Sequence, residues 1–226
     1  MLNGIVLILP IAYIVMVLLL IYSLIDTRKR HWFFRLKMIS SLLFLLMGVV
    51  FLLLRGKLTD QLAFIFGFAL CVFGDYEFGL FNNHKRKDYF IVGTSIFLLG
   101  HVSFIFGLCK LYMPQSYTEL IIPVLAMFGT FFLLKNKNVA AGKMKPIMFV
   151  YAFFITTFFS RCIHYYIANR TIAGVLLAVG ACFFLISDTL ILFLYFYRKK
   201  RWSTHGWNIA TYYLAMCFIS ISLLYI

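Results

Sequence analysis

Six ionisable side chains interrupt the long apolar runs of this chain: Asp75, Glu77, His101, Arg161, His164 and Asp188. An ionisable group inside a membrane-length run is costly and usually faces a bundle interior or a wet cavity, so it is a candidate for function. Two carboxyls sharing a low-dielectric site cannot both ionise easily, so a pair of them offers one proton donor and one proton acceptor. That is the equipment of acid–base hydrolysis. It is also the equipment of a proton- or ion-coupled transporter.

Spacing singles out two of the six. Gly174, Ala178, Ala181 and Asp188 follow helical spacing, so a stripe of small residues and a carboxylate point the same way. Gly67, Cys71, Gly74 and Asp75 repeat the arrangement, and Gly93, Gly100 and Gly107 form a heptad stripe beside His101. Asp75 lies ten residues before Lys85, and Asp188 ten residues before Arg198. At 1.5 Å per residue each carboxyl sits roughly 15 Å from a basic cluster, so the two share a depth. Asn208, Tyr212 and Ala215 form a face that enters from the same side. Glu77 falls on nearly the opposite face from Asp75. Arg161 and His164 share a face with Thr157 in the other half of the membrane, where substrate entry, a structural pair and snorkelling to the interface all remain open.

These residues must be positioned by transmembrane helices. Of 226 residues, 64% are apolar and 12% charged, against about half and about a quarter in soluble domains. Crossing the hydrocarbon core takes about 20 apolar residues. The runs 4–25, 36–54, 61–82, 89–109, 118–134, 146–168, 171–197 and 207–226 predict an all-α, polytopic bundle of eight transmembrane helices. With short connections, residues 1–226 read as a single domain, and the first run reads as a span rather than a removed signal peptide. The five cysteines lie in or beside these runs without a CxxC pair, which fits packing.

The net charge of +14 is spread over short clusters between the runs, a pattern of membrane topology and not of nucleic-acid binding. One side carries Arg28, Lys29, Arg30, Arg35, Lys37, Lys85, Arg86, Lys87, Lys135, Lys137, Lys143, Lys145, Arg198, Lys199, Lys200 and Arg201. The other carries Arg55, Lys57, Lys110 and Arg170. Sixteen against four puts the basic loops in the cytoplasm and both termini outside a cell membrane.

The stretches GDYEFGL (74–80), FLLGHVSFIF (97–106), GACFFLISDTLILF (180–193) and TYYLA (211–215) resemble the YhhN-like lysoplasmalogenases, each on its own span and in that family's order. The resemblance implies an eight-span enzyme that hydrolyses the vinyl ether bond of a lysophospholipid, lysoplasmalogen. The products are a fatty aldehyde and glycerophosphoethanolamine or glycerophosphocholine. It matches the family's two acidic positions to Asp75 and Asp188, with His101, Ser187, Asn208, Tyr212 and Tyr213 as candidate substrate contacts and no metal or other cofactor. Three positions depart from it and bear on head-group preference: Met216 stands where Gln is frequent, Glu77 at a usually apolar position, and Phe104 where an aromatic hydroxyl is common. Vinyl ether hydrolysis begins with proton delivery to the alkenyl carbon and needs a second carboxylate to stabilise the cation and activate water, as in glycosidases.

Other functions fit less well. A retinal protein needs a Lys deep in a late span, and no run has one at depth. A zinc hydrolase needs about three ligands, and the runs hold only His101 and His164, in different halves. A purely structural membrane protein explains the topology but not the paired acids.

Overall fold

Inside a bilayer every backbone polar group must be satisfied within its own segment, and a helix does this. The computed structural model describes residues 2–114, 116–198 and 202–226, without the side chains at positions 2, 3, 5, 27, 30, 143 and 202. Among them are eight α-helices: α1 (Leu2–Ile25), α2 (Phe33–Leu54), α3 (Leu62–His84), α4 (Lys87–Leu111), α5 (Ile121–Lys135), α6 (Lys145–Asn169), α7 (Ile172–Phe196) and α8 (Trp202–Ser222). They lie on the eight predicted runs. Lys199, Lys200 and Arg201 of the last basic cluster fall outside the described residues.

Seven of the helices are long and apolar enough to cross a membrane, α5 only with the 3₁₀ turn Tyr117–Leu120 before it. The eighth, α8, is too polar by composition. Its Thr211, Tyr212, Tyr213, Ser220 and Ser222 are buried in protein; both tyrosines and Ser220 bond α2 or α3, and Thr211 and Ser222 bond carbonyls of α8 itself.

Two connections are only two residues long. Lys85 and Arg170 end α3 and α6 in left-handed conformations (φ 57° and 48°), their N–H groups bonding Phe81 O and Tyr166 O. Thr171 then caps α7, its hydroxyl accepting from Gly174 N at 3.1 Å. Such tight turns make α3/α4 and α6/α7 antiparallel neighbours. Between α3 and α4 the approach depends on glycine. A Cβ on Gly67 would lie 2.5 Å from the Phe104 ring, and one on Gly74 would lie 2.6 Å from Phe97.

Six helices close a ring in the order α2, α3, α4, α6, α7, α8, with α8 returning to α2. α1 lies outside it against α2 and α8, where Tyr13 OH donates to Tyr213 O at 2.6 Å. α5 also lies outside, packed on α6 and on its own leading turn. The ring is filled by aromatic side chains: Phe104 touches Phe64, Phe68, Phe158 and Phe184, all fully buried.

Arg161 is settled by a different neighbour from any in its own span. Its Nη1 pairs with Glu119 Oε2 at 2.7 Å, and Ser160 Oγ donates to Glu119 O at 2.8 Å. His164 Nδ1 lies 2.8 Å from Ser160 O. The cluster ties the turn before α5 to α6, apart from both aspartates.

Candidate active site

Every helix of the ring sends a polar side chain to the centre. α3 supplies Asp75, 2% exposed, and α7 supplies Asp188, 8% exposed; both line one cavity of about 40 Å³.

Asp75 is held from two sides. Lys37 and Ser41 stand one turn apart on α2 and so share a face. Lys37 Nζ lies 2.9 Å from Oδ1, and Ser41 Oγ donates to Oδ2 at 2.6 Å. From α8, Tyr212 OH donates to Oδ2 at 2.8 Å. Tyr213 OH lies 3.0 Å from Ser41 Oγ and donates to Lys37 O at 3.1 Å, so it braces the α2 pair without touching Asp75. One ammonium and two hydroxyl donors around a single carboxyl fit a carboxylate.

Asp188 has a different setting. Tyr151 of α6 donates its hydroxyl to Oδ2 at 2.7 Å, and His101 Nε2 of α4 lies 3.3 Å from the same oxygen. His101 is fully buried, its ring 4.5 Å from that of Phe184. Beside Asp188, Ser187 and Asn208 hold α7 to α8: Asn208 Nδ2 donates to Ser187 O at 2.9 Å and to Ser187 Oγ at 3.0 Å. The small cavity is lined by Ser187, Asn208, Tyr212 and Tyr213 along with both aspartates; His101 stands behind Asp188.

Asp188 and Tyr151 also line a second cavity, of about 460 Å³, between α5 and the ring helices α4, α6 and α7. Leu125, Leu133, Ile147, Ile155, Leu192 and Phe196 are among its apolar walls. That volume is within the range of small-molecule pockets. Asp188 therefore separates a greasy chamber from a polar one.

Three side chains that hold the aspartates, Lys37, Ser41 and Tyr151, are not among the site residues that the sequence singles out. By sequence Lys37 belongs to the first basic cluster. It is instead a helical residue, 8% exposed and committed to Asp75, which leaves fifteen basic positions against four. The i, i+4 spacing of Lys37 and Ser41 was a usable signal. Tyr151 is one of 14 tyrosines and carried none. Glu77, half-buried, takes no part in the site.

The model of the YhhN family matches residues 30–223. The chain belongs to the YhhN family. The match takes in α2 to α8, hence the whole ring and both cavities, and leaves out α1, which lies outside the ring. No curated protein and no solved structure matched the chain.

Proposed function

We propose that this YhhN-family protein is a membrane hydrolase that cleaves the vinyl ether bond of lysoplasmalogen, releasing a fatty aldehyde and glycerophosphoethanolamine or glycerophosphocholine. The observation that carries this reading is the position of Asp188 on the wall common to an apolar cavity and a polar one. The substrate's alkenyl chain fits the large cavity, its vinyl carbons meet Asp188, and the small cavity, at about 40 Å³, has room for the water that adds, which takes about 10–15 Å³ of such volume.

The chemistry uses the aspartates in turn. A proton passes from the acid to the alkenyl carbon; the double-bond electrons form the new C–H bond and leave an oxocarbenium ion. The second carboxylate stabilises that cation and takes a proton from the water that adds to it. The hemiacetal then collapses, its C–O bond to glycerol breaks, and the glycerol oxygen leaves protonated. Incubation of detergent-purified protein with lysoplasmenylethanolamine tests the reading, with released aldehyde as the product measured. No aldehyde would sink it.

The large cavity gives a separate prediction. Ala152→Trp places an indole where the chain would lie. Losing the burial of about three or four methylenes at about 0.8 kcal/mol each raises KM by about 10²-fold. Unchanged kinetics with the full-length chain would remove it from this cavity.

Orientation follows from the fifteen-to-four charge asymmetry, which puts both termini outside and the basic loops in the cytoplasm. Cysteines engineered at positions 86 and 137 should resist an impermeant thiol reagent in intact cells, and one at position 57 should react. The reverse pattern would invert the topology.

A further inference from the structure

Two nitrogens of His101 have fixed duties. Nδ1 lies 2.7 Å from Phe97 O, and a carbonyl oxygen only accepts, so Nδ1 carries a hydrogen. In a neutral ring Nε2 is then a bare lone pair. It faces Asp188 Oδ2 at 3.3 Å, and an ionised carboxylate is also only an acceptor. Two buried lone pairs at that distance repel unless a proton lies between them. Tyr151 does not supply it, because its one hydrogen already goes to Oδ2. The pair is wrapped by Phe158 and Phe184. An unpaired charge on either partner is costly there, whereas a shared proton satisfies both.

We propose that His101 and Asp188 hold one acidic proton between them and that Asp188 hands it to the substrate, which makes Asp188 the general acid and Asp75 the carboxylate that meets the cation. The proposal rests on the hydrolase reading. His101 lines neither cavity and acts through Asp188, so it is a positioning residue, whereas Asp188 faces the large cavity directly. The transferred proton ends on the alkenyl carbon, and Asp75 holds the one taken from water. When the glycerol oxygen leaves, one proton goes out with it and the hydroxyl of the hemiacetal gives up its own, so the dyad is recharged without an oxidant or reductant. Asp75 suits the other role because Lys37, Ser41 and Tyr212 already hold it as an anion.

The other titratable groups around the dyad are Cys71 from α3, Tyr151 from α6, Tyr212 from α8, and the Lys37–Asp75 pair between α2 and α3. Without His101 the proton has only the Asp188 carboxyl to hold it, so the loss of rate should be largest at high pH and smallest at low pH.

The experiment is the pH profile of aldehyde release from lysoplasmenylethanolamine by wild type, His101→Gln and His101→Asn, after subtraction of the uncatalysed rate. Gln keeps an amide near Nε2, and Asn keeps one near Nδ1 to bond Phe97 O, so one of the two preserves each contact. The expected result is a fall in kcat of about 10²-fold near neutral pH, KM within about threefold, and a loss that shrinks as pH falls. A loss equal at every pH in both variants, or none, would overturn the proton assignment while leaving the hydrolase standing. A wild type that releases no aldehyde overturns the hydrolase reading and this proposal with it.

Discussion

Replacing Asp188 with Asn should leave a folded protein that releases aldehyde about 10²–10⁴-fold more slowly, the usual contribution of a general acid or base. Asn has the same shape, and an amide nitrogen at the position of Oδ2 can donate to His101 Nε2 while the Tyr151 hydroxyl turns to accept. The contacts survive, so thermal stability in detergent should change by no more than about 1–2 kcal/mol. What is lost is the acidic proton. Lipid binding should persist, because the apolar walls of the large cavity are unchanged. An Asn variant that turns over within a few-fold of wild type would remove Asp188 from catalysis; one that unfolds while its surviving fraction stays active would make it a packing residue.

Asp75→Asn should lose activity to a similar degree and stability as well. Lys37 is 8% exposed and its ammonium lies 2.9 Å from Oδ1. Removing one partner of a buried pair strands the other charge and costs about 3–5 kcal/mol. Lys37→Met leaves the Asp75 carboxylate stranded in its turn and should cost about as much. The double variant, with neither charge, should recover most of the stability and none of the activity. The comparison separates the two roles proposed for Asp75, charge balance in folding and a carboxylate in catalysis. Single variants as stable as wild type would mean that the pair is solvated in the membrane-embedded protein.

The two aspartates were legible in the sequence because nothing nearby in the chain neutralises them and each sits in an apolar run of membrane length. The face of Asn208 and Tyr212 was legible for the same reason that helices are, by a spacing of four. Lys37 was hidden by its company: it follows Arg28, Lys29, Arg30 and Arg35, and a cation at a membrane boundary reads as topology. Its role appears only when α2 meets α3 and α8, contacts between residues 34 to 176 positions apart. Arg161 leaves three roles open in the sequence because its partner, Glu119, belongs to a different run, in the 3₁₀ turn before α5, 42 positions away. The number of helices followed from hydropathy, but the ring did not. Its closure joins α2 to α8 and lets α4 meet α6 past α5, and no local pattern records either contact. The setting of α5 outside the ring, which opens the large cavity beside Asp188, was likewise invisible in its sequence.

The most direct measurement is the reaction of wild-type protein with lysoplasmenylethanolamine in D2O. Vinyl ether hydrolysis by carbon protonation should release aldehyde and glycerophosphoethanolamine in equal amounts. The aldehyde should carry one deuteron on the carbon next to its carbonyl, and a lysolipid with a saturated ether in place of the vinyl ether should not react. Absence of aldehyde, or release of the chain without that deuteron, would contradict proton delivery by an intramembrane aspartate.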